Sequence, residues 1–331
     1  MNRRKFGNSG LTVTPIGLGL AALGRPGYIN LGHSQDLHEN YDMGAMEENA
    51  HAVLDAAWAT GIRYFDAARS YGRAEQFLSS WLNSRNIVPD EVTVGSKWGY
   101  TYTADWQVQA EHHEIKEHSQ AVLKRQWRES SDLLQPYLGL YQIHSATLES
   151  GVLDNMDVLT QLAHLRAGGL RVGLSLSGPH QTDTLRRAME ISFDGHMLFS
   201  AVQATWNLLA QESGEALQEA SQAGMGIIIK EALANGRLTA RNQETAFKPQ
   251  KTMLENIATK LYTTIDAIAL AVVLAQPWAD VVLSGAATTT QLNSNVAALE
   301  AEIRDETVEL LARLQESPEN YWLKRSQLTW N

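Results

Sequence analysis

Four side chains with complementary proton chemistry stand at or just beyond the ends of short apolar runs. Asp66 closes Ile62-Arg63-Tyr64-Phe65, Lys97 closes Val92-Thr93-Val94-Gly95-Ser96, and His144 closes Leu140-Tyr141-Gln142-Ile143. Tyr71 follows Asp66 by five residues, in the turn Ala67-Ala68-Arg69-Ser70-Tyr71-Gly72. A free phenol titrates near pH ~10 and is a poor acid or base at neutrality. An adjacent ammonium stabilises the phenolate and brings that value down, and a carboxylate keeps the ammonium charged and in place. A histidine can hydrogen-bond a carbonyl oxygen and orient it. Such a set can protonate a developing alkoxide or, in reverse, take the proton from an alcohol. Each residue alone has an ordinary role as a turn former, a solvated charge, a packing ring or a bonded imidazole; their joint recurrence at run ends points to chemistry. Gln203, closing Ser200-Ala201-Val202, and Lys230, closing Ile227-Ile228-Ile229, hold the same kind of position.

The elements that must carry these groups are eight strand-length runs, at residues 13–18, 62–65, 92–96, 138–143, 170–176, 198–203, 226–229 and 280–283. They are continuously apolar rather than alternating, as expected of parallel strands covered on both faces. Helical spacing separates several of them: Val152, Met156, Leu159 and Ala163; Ala216, Ala220 and Ala223; Leu185, Ala188 and Met189, with Ser177 and Pro179 as the start signal of the last. Eight alternating units with no Pro/Gly/Ser-rich linker predict a (β/α)8 TIM barrel forming a single domain over 1–331. A doubly wound sheet is the alternative, but Gly17-Leu18-Gly19-Leu20-Ala21-Ala22 lacks the third glycine of the dinucleotide fingerprint. In a barrel, strand ends of one polarity converge on one mouth, so the polar residues above are expected to meet there. Two stretches fall outside the repeat: a long loop at 24–46 and a tail at 317–331 containing Trp322 and Trp330, both expected near that mouth.

Composition narrows the class. The 331 residues carry 27 Lys+Arg against 37 Asp+Glu, a formal net charge of −10, which argues against a nucleic-acid or anionic-membrane surface. With no cysteine, disulfides, thiolate zinc sites and a cysteine nucleophile are excluded. No apolar run reaches the ~18 residues of a membrane span. The basic start Met1-Asn2-Arg3-Arg4-Lys5 has no apolar segment behind it, so no signal peptide is read and a cytoplasmic protein is expected. His112-His113-Glu114-Ile115-Lys116-Glu117-His118 lacks the His-Glu-x-x-His spacing of a zinc helix; a solvated helix start is expected there, and no metal.

At this point the chain resembles the aldo-keto reductase superfamily. Gly61-Ile62-Arg63-Tyr64-Phe65-Asp66-Ala67-Ala68-Arg69-Ser70-Tyr71-Gly72-Arg73-Ala74-Glu75 looks like the family's Asp- and Tyr-bearing motif, Val94-Gly95-Ser96-Lys97 like its lysine strand, and Leu140-Tyr141-Gln142-Ile143-His144 like its histidine strand. The likeness continues through 202–209, 233–239 and 284–299. It implies metal-free hydride transfer between NADP(H) and a carbonyl. Tyr71 would be the general acid in reduction and the base in oxidation, tuned by Lys97 and Asp66, with His144 orienting the substrate oxygen.

The resemblance also implies a cofactor set. Gln203 would bond the nicotinamide amide. Ser175 remains from the family's Ser-Asn pair, whereas Leu176 replaces the Asn. Lys230 replaces the aromatic residue that stacks on nicotinamide, and a cation there would repel the oxidised ring unless Glu231 neutralises it or Lys230 points elsewhere. Gly236, Arg237 and Arg241 would lie by the pyrophosphate, with Leu233 in the same cofactor set; Gln291 and Asn295 match the adenine end. Gly285, Ala286 and Ala287 stand where a Lys, Arg or Ser often holds the 2′-phosphate. The missing charge weakens 2′-phosphate recognition, though Thr288, Thr289 and Thr290 could supply hydroxyls; NADP(H) is still expected as the preferred cofactor, with NAD(H) also open. Trp98 and Tyr100, followed by Tyr102 and Trp106, would form an aromatic wall for an aldehyde, ketone or sugar, or pack their loop on itself. Two other classes stay in view: a cofactor-holding sensor with slow turnover, and an unrelated barrel acting on phosphorylated sugars. Oligomeric state is left open.

Overall fold

Eight runs become eight parallel strands in the computed structural model, which describes residues 1–331 apart from the side chain of residue 305. They are β1 (Ile16–Gly19), β2 (Tyr64–Asp66), β3 (Thr93–Trp98), β4 (Leu138–Ala146), β5 (Arg171–Leu176), β6 (Ala201–Thr205), β7 (Gly226–Lys230) and β8 (Val281–Ser284). Each pairs with the next in sequence, and β8 returns to β1 through Val282↔Ile16, closing a barrel. Helices follow most strands and cover its outside, as the (β/α)8 reading expects.

Alternation along the strands decides what reaches the interior. Successive side chains of a strand point to opposite faces. Phe6, Val13, Tyr64, Leu140, Ala201, Ile228, Val281 and Leu283 form one buried cluster inside the barrel. Two residues on from members of it along their strands come Asp66, Gln142, Gln203 and Lys230, and two further still His144 and Thr205. Lys97 and Ser175 share this inward parity, through register with Gln142 and Gln203. The polar layer therefore sits directly above an apolar plug. Trp98, one residue beyond Lys97, has the opposite parity and packs outward against His118.

A two-strand hairpin, Arg4–Lys5 with Thr12–Val13, closes the far end. It places Phe6 under Tyr64, ring centroids 6.4 Å apart. The expected helices appear as Met156–Ala167, preceded by a single 3₁₀ turn, Gln181–Met189 and Gly214–Gln222. His180, not Ser177, occupies the N-cap position of the second. Residues 112–118 differ from expectation: Glu114–Lys116 is a strand paired with Tyr100–Tyr102, and the next helix begins at Gln120 behind the Ser119 cap. No single helix among the described residues is long and apolar enough to cross a membrane.

Candidate active site

At the mouth, Lys97 and Asp66 form a fully buried ion pair. The Lys97 ammonium also donates to the Ala67 carbonyl at 3.0 Å and to the Tyr71 hydroxyl at 3.4 Å. The second Asp66 oxygen, Oδ1, accepts from Gln203 Nε2 at 3.0 Å and from the Tyr64 hydroxyl at 3.2 Å. The Tyr71 and His144 rings meet edge to face with centroids 5.5 Å apart. Tyr71 and His144 thus face each other over the Lys97–Asp66 pair, at one end of a cavity of about 520 Å³.

The electrostatics differ from the sequence expectation in one respect. Burial, reinforced by the Asp66 carboxylate, pushes the Tyr71 phenol up rather than down, against a smaller opposing pull from Arg25. Lys97 is bound to Asp66, so the phenol sees an ion pair rather than a bare ammonium. Burial, with Lys97 and Arg25 adding, holds His144 well below the ordinary imidazole value, so it is a neutral ring. Both groups are poised to donate a proton or a hydrogen bond rather than to carry charge.

The cavity runs from Tyr71, His144, Gln203 and Lys230 past Leu233, Gly236 and Arg241 to Gln291, Ser294 and Asn295, collecting nine expected site residues besides Asp66. The other expected contacts do not line it. Ser175 accepts the Ser145 N–H at 2.8 Å, supporting the backbone next to His144. Arg237 is buried in a bidentate pair with Glu316, under the Tyr321 ring, so it is not a phosphate ligand here. Ala287 is fully buried, with its N–H taken by Gln291 Oε1. Trp98 is fully buried behind the barrel wall and cannot wall a substrate. Tyr102 and Trp106 do not line the cavity either, and Trp106 donates to the Tyr41 carbonyl. Tyr100 does not line it, but stands edge-on to His144, centroids 4.9 Å apart.

The model of the aldo/keto reductase family matches residues 15–316. The chain belongs to the aldo/keto reductase family. This family member is 26% identical to the pyridoxal 4-dehydrogenase of Microbacterium luteolum over 92% of this chain and 94% of that protein. It is also 26% identical to the uncharacterized oxidoreductase YqkF of Bacillus subtilis (strain 168), over 91% of this chain and 92% of that protein. In fold it is similar to an aldo-keto reductase from Bacillus halodurans solved in its holo form, with a TM-score of 0.73, 21% identity, and coverage of 96% and 97% of the two chains. Family membership makes it a nicotinamide-dependent oxidoreductase of carbonyl compounds.

The donor set of this aldo/keto reductase fits such a cofactor. A Cβ added at Gly285 would meet nothing within 4 Å, which leaves open space along the backbone between Ser284 and Ala286 at the cavity wall. Gln203 spends its amide N–H on Asp66, and among the described residues none donates to its amide oxygen. Among the same residues no cluster of three or more His, Asp or Glu is arranged to hold a metal ion.

Part of the remaining wall comes from the two stretches outside the repeat, through Arg25, Tyr28 and Leu31 on one side and Arg325, Leu328 and Trp330 on the other. Arg25, almost fully buried, lies over the rings of Tyr71, Tyr28 and Trp330 at 5.3, 5.3 and 4.7 Å and pairs with Glu114 at 3.0 Å. Arg325, in the helix Pro318–Ser326, grips Glu231 through both carboxylate oxygens at 2.9 Å. Tyr28 and Asn331 exchange backbone hydrogen bonds at 3.1 and 3.2 Å, joining loop to tail. The one available clue was Gly24-Arg25-Pro26-Gly27, a lone cation among chain breakers just after the first strand.

Proposed function

We propose that Tyr71 is the general acid/base of a nicotinamide-dependent carbonyl reductase or alcohol dehydrogenase, and that residues 1–331 act as one unit. When bound, the cofactor supplies or accepts the hydride. The Tyr71 hydroxyl holds the proton beside the substrate oxygen. Lys97, fixed by Asp66, stabilises charge that builds on the phenol oxygen as that proton leaves. The neutral His144 donates a hydrogen bond that orients the carbonyl. Gln203, Lys230, Leu233, Gly236, Arg241, Gln291 and Asn295 line the cofactor's path, and Tyr100 shapes the substrate side beside His144. The observation that carries this reading is the Tyr71 hydroxyl 3.4 Å from Lys97 Nζ and its ring 5.5 Å from that of His144, at the end of a cavity of about 520 Å³. A phenol pushed up by burial stays protonated, which supports reduction of an aldehyde, ketone or sugar more readily than oxidation of its alcohol at neutral pH. The pyridoxal 4-dehydrogenase relative supports adding an aromatic aldehyde to that list of substrates.

The test is Tyr71→Phe, assayed against a panel of aldehydes, ketones and sugars with NADH and NADPH. Turnover is expected to fall by about 10²–10⁴-fold, the share proton transfer usually supplies. Cofactor affinity, read by fluorescence titration, is expected to stay within about twofold of wild type, because the variant removes a proton and no cofactor ligand. Near-normal turnover in this variant would remove Tyr71 from the chemistry.

A further inference from the structure

The end of the cavity away from Tyr71 is built around a carboxylate that belongs to the chain itself. Asp36 closes the one-turn helix His33–Asp36 in the long loop after β1, and its side chain is 4% exposed. Both its oxygens are bound to the Arg241 guanidinium, one of them at 2.7 Å from Nη1. Gln291 Nε2 donates to the same oxygen at 2.8 Å. Arg241 lies in the segment that follows β7, and Gln291 in the helix Thr289–Val296 that follows β8. Arg241 and Gln291 line the cavity, and Asp36, directly behind them rather than on the wall, ties the two segments together with a negative charge from loop 24–46.

Charge decides what this end can accept. Arg241 is the cation among the lining residues here; Gly285 and Ala286 beside it are uncharged, and Asp266 adds a second carboxylate, bonded by Ser294 at 2.6 Å. Arg241 is neutralised by Asp36, which leaves this end with negative charge in excess. Gln291 and Asn295, the residues expected at the adenine end, line this part of the cavity, so a dinucleotide with its nicotinamide at Tyr71 would bring its adenosine ribose here. A 2′-phosphate would arrive with about two negative charges, find the arginine already paired, and be repelled by the Asp36 carboxylate behind it. A neutral 2′-hydroxyl meets no such repulsion.

We propose that Asp36 is a cofactor-selecting residue: it occupies the anion seat formed by Arg241 and Gln291 and turns the enzyme toward NAD(H) and away from NADP(H). This revises the NADP(H) preference expected from the sequence and rests on the oxidoreductase reading above. The test is a fluorescence titration of the full chain with NADH and with NADPH, for wild type, Asp36→Asn and Asp36→Ala. Wild type is expected to bind NADH at least about tenfold tighter than NADPH. Both variants are expected to tighten NADPH by about tenfold or more while NADH moves by less than about threefold. Tighter NADPH binding by wild type overturns the proposal without any variant. So does an equal change for both cofactors, which would make Asp36 only a latch for the loop. If wild type bound neither cofactor, the oxidoreductase reading would fall as well, whereas equal binding of both defeats the Asp36 proposal alone.

Discussion

Lys230 shows how much one side chain's surroundings alter its chemistry. Its ammonium donates to Thr205 Oγ1 at 2.7 Å and lies 3.8 Å from Glu231, whose carboxylate is committed to Arg325. Burial brings Lys230 down to about 8, with Glu231 opposing and Arg325 and Lys97 adding to the fall. If it faces the nicotinamide ring, its charge disfavours the oxidised cofactor below about pH 8 and disappears above it. Lys230→Met is therefore expected to tighten oxidised cofactor by about three- to tenfold at pH 7, a change of roughly 1 kcal/mol, and by little at pH 9.5. The reduced cofactor should barely respond. A pH-independent change, or none, would show that Lys230 points away from the ring. His144 yields a second expectation. Since burial holds it well below its usual value, the pH profile of carbonyl reduction should have no inflection near the ordinary imidazole value of ~6.5. An inflection there would mean that an imidazolium takes part.

Among the elements, the barrel was legible and the rim was not. Strands have period two, so once the apolar runs were placed, Asp66, Lys97, His144, Gln203 and Lys230 were bound to share one mouth. The same alternation shows why Trp98 failed as a substrate wall: next to an inward lysine, it had to point outward. Arg237 failed because its partner Glu316 is 79 residues away, a pairing no local pattern reveals. Loop and tail meet through residues 303 positions apart, so their joint wall became visible only in three dimensions. That joint is testable through Arg325, which binds Glu231 at a backbone φ of 54°, a left-handed conformation that a glutamate rarely adopts. Burial alone would raise Glu231; Arg325 and Lys230 outweigh it and hold it down at about 2. This depressed carboxylate stabilises the fold above its ordinary value, and the contribution is lost only as pH falls through about 2. Arg325→Ala leaves that charge buried without its main partner, at a cost of about 3–5 kcal/mol, which urea unfolding at pH 7 would measure. Amides of 318–331 should also exchange faster. Unchanged exchange would mean that the Tyr28–Asn331 pairing, not the ion pair, holds the tail.

For the whole molecule, stability and chemistry are expected to separate along the barrel axis, with the floor holding the fold and the mouth doing the work. The seam where β8 meets β1 is clamped from below: Arg4 donates to the carbonyls of Ala279 and Asp280 at 2.8 and 2.9 Å, and Val282 donates to Pro15 at 2.8 Å. Phe6, on the same hairpin, is completely buried beneath Tyr64 and against Gly226, where a Cβ would strike its ring. Phe6→Ala would open a hole in that floor and cost about 3–5 kcal/mol, read as a clear fall in the thermal midpoint. One route connects this floor to the mouth, since the Tyr64 hydroxyl bonds Asp66 Oδ1 at 3.2 Å. Asp66 is also held by Lys97 and Gln203, so the loss of Tyr64's support from below should leave it in place. In the folded variant, kcat and cofactor affinity are therefore expected to stay within about threefold of wild type, under ~1 kcal/mol. A large fall in kcat without a fall in the midpoint would show that the plug, and not only the mouth, sets the geometry at Asp66.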